Sequence, residues 1–375
     1  MHLHLVSFDI PFPADYGGVI DVYYKLKSLA QVGVKVHLHC FGYGRKQSEE
    51  LEKHCYTVTY YQRNTAKSQL FNRLPYIVVS RGNELLIQNL LNDNYPILFE
   101  GLHCCFYLDD ARLKHRVRIV RTHNIEHHYY QSLARIETNI FKRYYFYNEA
   151  EKLATFEQNL RHATYIAAIS PNDNMYFNKQ YEHAQYVPAF HAHTQMLFKP
   201  GKGSYALYHG NLSIGENNEA ALYLINEVFS KTTYHLVIAG SKPSKALRAA
   251  IDKHQNISLR ADISVAQIET LIAEAHINVL PTFQPTGIKL KLLSALYLGR
   301  HCLVNDVMVS NTGLEPLCYV ANNAQEFIVK LKQLFKKSFT QADCQKRTEI
   351  LLQKFSNETG AQKLVAMINS YVYQA

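Results

Sequence analysis

Residues 3–41 read LHLVSFDIPFPADYGGVIDVYYKLKSLAQVGVKVHLHCF, and the fold follows from how this stretch divides. LHLVSFDI alternates and then turns apolar, the pattern of a buried strand. Pro11, Pro13 and the pair Gly17-Gly18 break it with a loop. Val19, Val22, Tyr23, Leu26, Leu29 and Ala30 then recur at helical spacing up to Gly33, a C-cap signal. VKVHLHCF is a second strand. A strand, a helix and a second strand in succession form the unit from which parallel sheets are built.

The unit repeats along the chain. TVTYY, PILFEG, VRIVRT and ATYIAAIS read as strands, with helical patterns between them in ELLIQNLLND and from 126 to 160. HAHTQMLFKPGKG, residues 191–203, interrupts the alternation and is placed as a linker. SYALYHG, YHLVIAG, ISLRA, INVLPTF, HCLVN and CYVAN then supply further strands, separated by NNEAALYLINEVFS and a helix over 265–275. The expected fold class is α/β, with two doubly wound Rossmann-like domains facing an interdomain cleft. The domains are placed at 1–190 and 204–355, and a final helix in 356–375 is expected to pack back on the first. Ligands of such sheets gather beyond the C-terminal strand ends.

Composition narrows the function. Hydrophobic residues make up 47% of the 375, enough for two cores. No apolar run approaches the length needed to span a bilayer. MHLHLVSFDIP enters a strand pattern at once, without a secretory signal, and the seven cysteines form no C-x-x-C pair. A reducing, cytoplasmic setting is expected. The net charge is +9, of which residues 1–190 hold 21 basic against 18 acidic groups and the remainder 19 against 13. With the excess spread over the C-terminal half and no DNA-binding motif, nucleic acid is not expected as a partner. DIPFPADYGG after the first strand is no dinucleotide fingerprint, and no phosphate-loop motif of the Walker type occurs.

Two stretches bear chemistry. In PTFQPTGIKLKLLSALYLGRHCLVN, residues 281–305, a strand ends and Thr286 and Gly287 open a helix. Unpaired N–H groups at a helix start attract phosphate. Lys289 and Lys291 stand where cations oppose the helix dipole, so they favour an anion nearby; the plainer reading is two solvated lysines. In RTHNIEHHYY, residues 121–130, His123, Glu126 and His127 have the H-x-x-E-H spacing of a zinc peptidase. That spacing needs a helix, whereas VRIV places His123 at a strand end. A loop histidine is another reading, and Glu126 is read first as a helix cap. Asn217 or Asn218 is expected to cap the helix that follows. NIFKRYYFYNEAEKLATFEQ, from 139, mixes aromatics with Lys142 and Arg143; it fits either a core helix or peripheral contact with an anionic membrane.

Taken in order, these pieces resemble the family-4 type of retaining glycosyltransferases with GT-B architecture. PFPADYGGVIDVYYKLKSLAQVGVKVHLHCF is similar to that family's glycine loop, helix and second strand, and VRTHNIEHHYY to its sugar-side histidine loop. LYHGNLSIGENNEAA, HLVIAG, INVLPTF, TGIKLKLLSALYLGRHCLV and NTGLEPL resemble its C-terminal domain in sequence order. The resemblance implies transfer of a sugar from a nucleotide-diphosphate sugar to a glycan or lipid-linked acceptor, with retention and without a metal or cofactor. It implies His123 against the transferred sugar and Gly17 and Gly18 near the donor. It also implies a donor site of Gly210, Asn211, Asn217, Thr286, Gly287, Ile288, Lys289, Lys291 and Ser294. The chain departs from the family's pattern where two glutamates usually stand, at Thr286 and Ser294. It departs again at Asn211 and Glu216, where an Arg and a Lys are common. A sugar-nucleotide epimerase of the same architecture and a non-catalytic glycan-binding member are the competing readings.

Overall fold

The computed structural model describes residues 1–283 and 290–372. They form two compact units, one of residues 1–192 and 355–372, the other of residues 193–283 and 290–354.

The first unit is built on seven strands: β1 (His2–Ser7), β2 (Lys35–Gly42), β3 (Thr57–Gln62), β4 (Ile97–Glu100), β5 (Arg118–Thr122), β6 (Tyr165–Ala168) and β7 (Ala184–Tyr186). They lie in the order β3-β2-β1-β4-β5-β6-β7, with every pair parallel. Nearly every residue of β1 and β4 is buried, because helices cover both faces of a parallel sheet. That is why their sequences read as apolar runs. The helix Asn357–Val372 belongs to this unit and packs on the helix Gly17–Gln31. Ala361, Leu364, Met367 and Ile368 join the core there.

The second unit holds β8 (Ala206–His209), β9 (Leu236–Gly240), β10 (Ile257–Ala261), β11 (Ile277–Leu280), β12 (His301–Val304) and β13 (Tyr319–Val320). Their order is β10-β9-β8-β11-β12-β13, again all parallel. Gly240 closes β9, where a Cβ would run into the carbonyl of Gly210. Glycine there lets two strand ends converge.

Each sheet therefore reverses its strand order once, between β1 and β4 and between β8 and β11. Beyond these reversals the strand ends diverge and leave room for a ligand. Histidines that serve neither reversal have structural work. His4 Nδ1 lies 2.8 Å from His39 Nε2, and His4 Nε2 lies 2.9 Å from Asp93 Oδ1. Burial pushes His39 down to about 3, so the ring stays neutral inside the fold.

Candidate active site at the sheet reversals

In the first unit RIVRT forms β5, and His123 follows directly, 7% exposed. The next helix, Glu126–Ile136, starts three residues later. The H-x-x-E-H spacing is thus divided between a strand end and a helix. His127 turns instead to Glu157, with Nδ1 3.1 Å from Oε2. The two histidines do not share the helix face that a zinc site of this spacing requires.

His123 is held by a buried charge cluster. Its Nε2 lies 2.9 Å from Oε2 of Glu100, the last residue of β4. Lys25 Nζ lies 2.6 Å from Glu100 Oε1 and 2.8 Å from Asp21 Oδ2. Arg121 Nη2 donates to Asp21 Oδ1 at 2.9 Å. The side chains of Asp21, Lys25, Glu100 and Arg121 have no solvent exposure. Two cations and two carboxylates sum to zero, which makes such burial tolerable. Burial raises Asp21, but Arg121 and Lys25 outweigh it and hold the carboxyl far below its usual range. Burial likewise opposes ionisation of Glu100, and Lys25 together with the His123 hydrogen bond reverses the effect.

An ionised Glu100 can only accept a hydrogen bond, so the proton sits on His123 Nε2. In the neutral ring Nδ1 is then a bare acceptor. Among the described residues that buried Nδ1 has no partner. A buried acceptor without a donor is costly, and a ligand hydroxyl would satisfy it. Asp21, Glu100 and His123 also bring one donor atom each within 4.8 Å of one another, close enough for a cation. Lys25 Nζ already bridges both carboxylates and does the charge neutralisation a metal ion would do.

More polar groups border His123. The buried Thr122 Oγ1, His103 Nδ1 and Glu126 Oε1 have no hydrogen-bond partner among the described residues. His103 Nδ1 and Glu126 Oε1 lie 3.9 Å apart. Glu126 is the first residue of its helix, after Ile125 at the cap position, and its side chain is buried rather than capping. Burial raises its carboxyl to about 8, so it is protonated at neutral pH. The Phe8 ring stands 5.5 Å from both His103 and His123. It also fills the place of a Gly18 Cβ, to within 2.6 Å, whereas the corresponding place at Gly17 is open. Gly18 is therefore a packing glycine, and Gly17 is the one that leaves free space.

In the second unit the structure brings Gly210, Asn211, Asn217 and Lys291 together where β8 ends. Lys291 Nζ donates to Asn217 Oδ1 at 3.0 Å and lies 5.4 Å from the Tyr208 ring centre. Asn217 Nδ2 donates to the Asn211 carbonyl at 3.0 Å. A Cβ on Gly210 would press on the Asn217 amide at 3.2 Å. The neighbouring His209 is pushed down to about 3 by burial and then by Lys291, and its buried Nε2 is unpartnered among the described residues.

The helix here starts at Gly215, with Ile214 at the cap position. This corrects the capping role expected of Asn217 or Asn218. Both lie inside the first turns, because the Asn211 side chain folds the preceding loop by accepting from Ser213 N and Oγ. Glu216 accepts from Thr282 Oγ1. Ser294 is set apart from the Lys291 group by its bond to His193 Nε2, 2.9 Å. Thr286, Gly287, Ile288 and Lys289 lie outside the described residues.

Asp21, Lys25, Glu100 and Arg121 do not stand out in the sequence as site residues. The available signal is an Asp and a Lys four apart on an otherwise apolar helix face, and a Glu closing an apolar strand.

Comparison with known proteins follows this geometry. Residues 203–337 match the family model of glycosyl transferases group 1. A Klebsiella pneumoniae protein described as an uncharacterized 44.6 kDa protein in the cps region is 26% identical over 314 residues, covering 78% of this chain and 79% of that protein. Among solved structures, the lipopolysaccharide outer core galactosyltransferase WaaB is similar with a TM-score of 0.66 and 15% identity, over 99% of this chain and 100% of that one. Anabaena HepE, solved with UDP and glucose, gives a TM-score of 0.65 at 12% identity, over 99% and 100%. A Rickettsia africae glycosyltransferase gives 0.65 at 11%, over 100% and 99%. The fold is that of the GT-B glycosyltransferases, and residues 203–337 are similar to the group 1 glycosyl transferases.

Proposed function

We propose that this chain transfers a sugar, with retention and without a metal, from a nucleotide-diphosphate sugar to a glycan or lipid-linked acceptor. Its products would be surface polysaccharide or glycolipid, made at the inner face of the membrane. The observation that carries the reading is the group 1 match over residues 203–337, the same residues that place Gly210, Asn217 and Lys291 at the reversal of the second sheet. The solved relative with UDP and glucose is consistent with that class of donor.

In this reading Lys291 leaves Asn217 to pair with the donor diphosphate. The Gly287 backbone and Lys289 join it, with Thr286 and Ile288 lining the donor, while Ser294 stays with His193. As the bond from sugar to diphosphate breaks, charge develops on the leaving oxygens, where fixed cations help most. The acceptor oxygen forms the new bond to the sugar, and its proton passes to the departing diphosphate oxygen. Gly17 leaves open space in the first unit for a ligand to approach the backbone. His123 Nδ1 accepts from a sugar hydroxyl, while Thr122, His103 and protonated Glu126 supply further hydroxyl partners.

The first test is thermal unfolding with UDP, GDP, ADP and CMP, each with and without chelator. One nucleoside diphosphate, at 100 times its Kd, should stabilise the protein by about 2.7 kcal/mol and be indifferent to chelator. Silence with every nucleotide would overturn the reading. Lys291→Ala should weaken the effective nucleotide about tenfold, the worth of a charge-assisted hydrogen bond. Unchanged affinity would remove Lys291 from the diphosphate site. Serine at position 294, bound to His193 where a carboxylate is common, favours as a second reading a member that binds its ligand without turnover. Hydrolysis or transfer of the donor at any measurable rate argues against it.

A further inference from the structure

We propose that the turn joining the helices Glu126–Ile136 and Ile140–Glu157 is a docking surface for an anionic lipid bilayer. Ile136, Ile140, Phe141, Tyr144 and Tyr147 are all exposed there, between 45% and 87%. On the second helix Ile140, Phe141, Tyr144 and Tyr147 share one face. The opposite face carries the buried Ala150, Leu153 and Phe156. The outer face turns polar further along, at Asn148, Glu151 and Thr155. The apolar surface is thus confined to the first two turns and the joint before them, which is a tip and not a stripe. This distribution has no account in the core of the unit.

The charges around the tip say what covers it. Arg135, Lys142 and Arg143 are exposed, and no carboxylate pairs with Lys142 or Arg143 among the described residues. Glu137 is the one acid in the joint, and its Oε1 already accepts from Asn139 N at 2.9 Å. Asn139 caps the second helix by accepting from Phe141 N and Lys142 N, which fixes the aromatic pair at the helix start. A further exposed aromatic, Phe71, sits in a short turn that Lys152 Nζ ties to the same helix through the Leu70 carbonyl, 3.1 Å. At about 200 Å² for each of the five tip side chains, the exposed area is roughly 600 Å². That is at the upper end of the apolar patches a typical monomer leaves exposed. It falls short of the roughly 800 Å² that each partner contributes to a standard protein interface. A small convex apolar tip ringed by unpaired cations fits lipid headgroups and the acyl boundary beneath them. No helix among the described residues is long and apolar enough to cross a membrane, so this contact is peripheral.

The proposal deepens the lipid-linked acceptor reading and rests on it for its purpose, though not for its test. The intact chain would be sedimented with phosphatidylglycerol-rich vesicles and with pure phosphatidylcholine vesicles, at low and high salt. Binding to the anionic vesicles, weakened by salt, is expected. Replacing Ile140, Phe141 and Tyr144 together by serine should lower the partition at least tenfold with unchanged melting, since these side chains are exposed. Lys142→Glu with Arg143→Glu should lower it at least fivefold for each charge lost. Undiminished pelleting of the triple variant, or no binding to any vesicle, would overturn the proposal. So would a wild-type dimer that the triple variant abolishes without vesicle binding, which would make a second copy the occupant. Nucleotide stabilisation should be the same in wild type and triple variant, so failure of the docking surface and failure of the transferase reading give different results.

Discussion

Lys25→Met should destabilise the first unit by about 3–5 kcal/mol, the cost of leaving a buried carboxylate without its cation. At roughly 2–4 °C per kcal/mol for a unit of this size, the melting temperature should fall on the order of 10 °C. In the wild type Lys25 and Arg121 balance Asp21 and Glu100, none of them exposed. Methionine fills most of the lysine's volume, so a packing defect contributes little. Asp21 keeps Arg121 and the backbone N–H of Phe190, which donates at 2.8 Å. Among the described residues Glu100 keeps the His123 side chain alone. Glu100 is therefore the group left uncompensated, and Lys25→Met with Glu100→Gln should recover more than half of the loss. Denaturant unfolding of the two single variants and the double variant closes the cycle. A loss below about 1 kcal/mol for Lys25→Met would show that the cluster is not held as a neutral set.

The pH dependence has a definite sign. Asp21 and Glu100 titrate lower in the fold than in the unfolded chain. Their contribution is therefore complete above the unfolded carboxylate values of about 4, and it is lost as pH falls through the folded values. Glu126 acts the other way. Its folded value of about 8 exceeds its unfolded one, so it costs stability progressively as pH rises from about 4 towards 8.

Most of the architecture was legible because a parallel sheet covered on both faces turns each strand into an apolar run. β1, β2, β5, β8 and β9 fall on LHLVSFDI, VKVHLHCF, VRIVRT, SYALYHG and YHLVIAG. The same rule placed His123 at a strand end, since VRIV has to stop somewhere near it. The cluster beneath was not legible. In VYYKLKSLAQ, Lys25 and Lys27 look alike, yet Lys25 is fully buried and Lys27 is not. What separates them is Glu100, 75 residues away, and Arg121, which shares Asp21 with Lys25. Sequence spacing carries local contacts and says nothing of partners that only the sheet brings together. The start of the helix at Gly215 was missed for a local reason. Capping propensity favours asparagine, but Asn211 had already used its side chain to fold the loop, and Asn217 was free to meet Lys291.

The second large effect concerns His123. His123→Ala should lower sugar transfer about a hundredfold, the usual scale for removing one positioned polar group from a reacting centre. Stabilisation by the nucleoside diphosphate should remain, because the groups proposed to hold the diphosphate belong to residues 203–337. Glu100→Gln separates two roles. If the histidine served only to fill space beside Phe8, the amide would change little. If its Nδ1 must accept from a sugar hydroxyl, the amide matters. Glutamine can offer an N–H to Nε2, moving the ring proton to Nδ1 and turning the acceptor into a donor. Transfer should then fall about tenfold, with the loss in kcat rather than in nucleotide affinity. Burial of the cluster means that both variants need their melting temperatures measured beside their rates. Full transfer by a folded His123→Ala protein would move the reacting centre away from the end of β5, and the orphaned Nδ1 would then call for a buried water in place of a substrate.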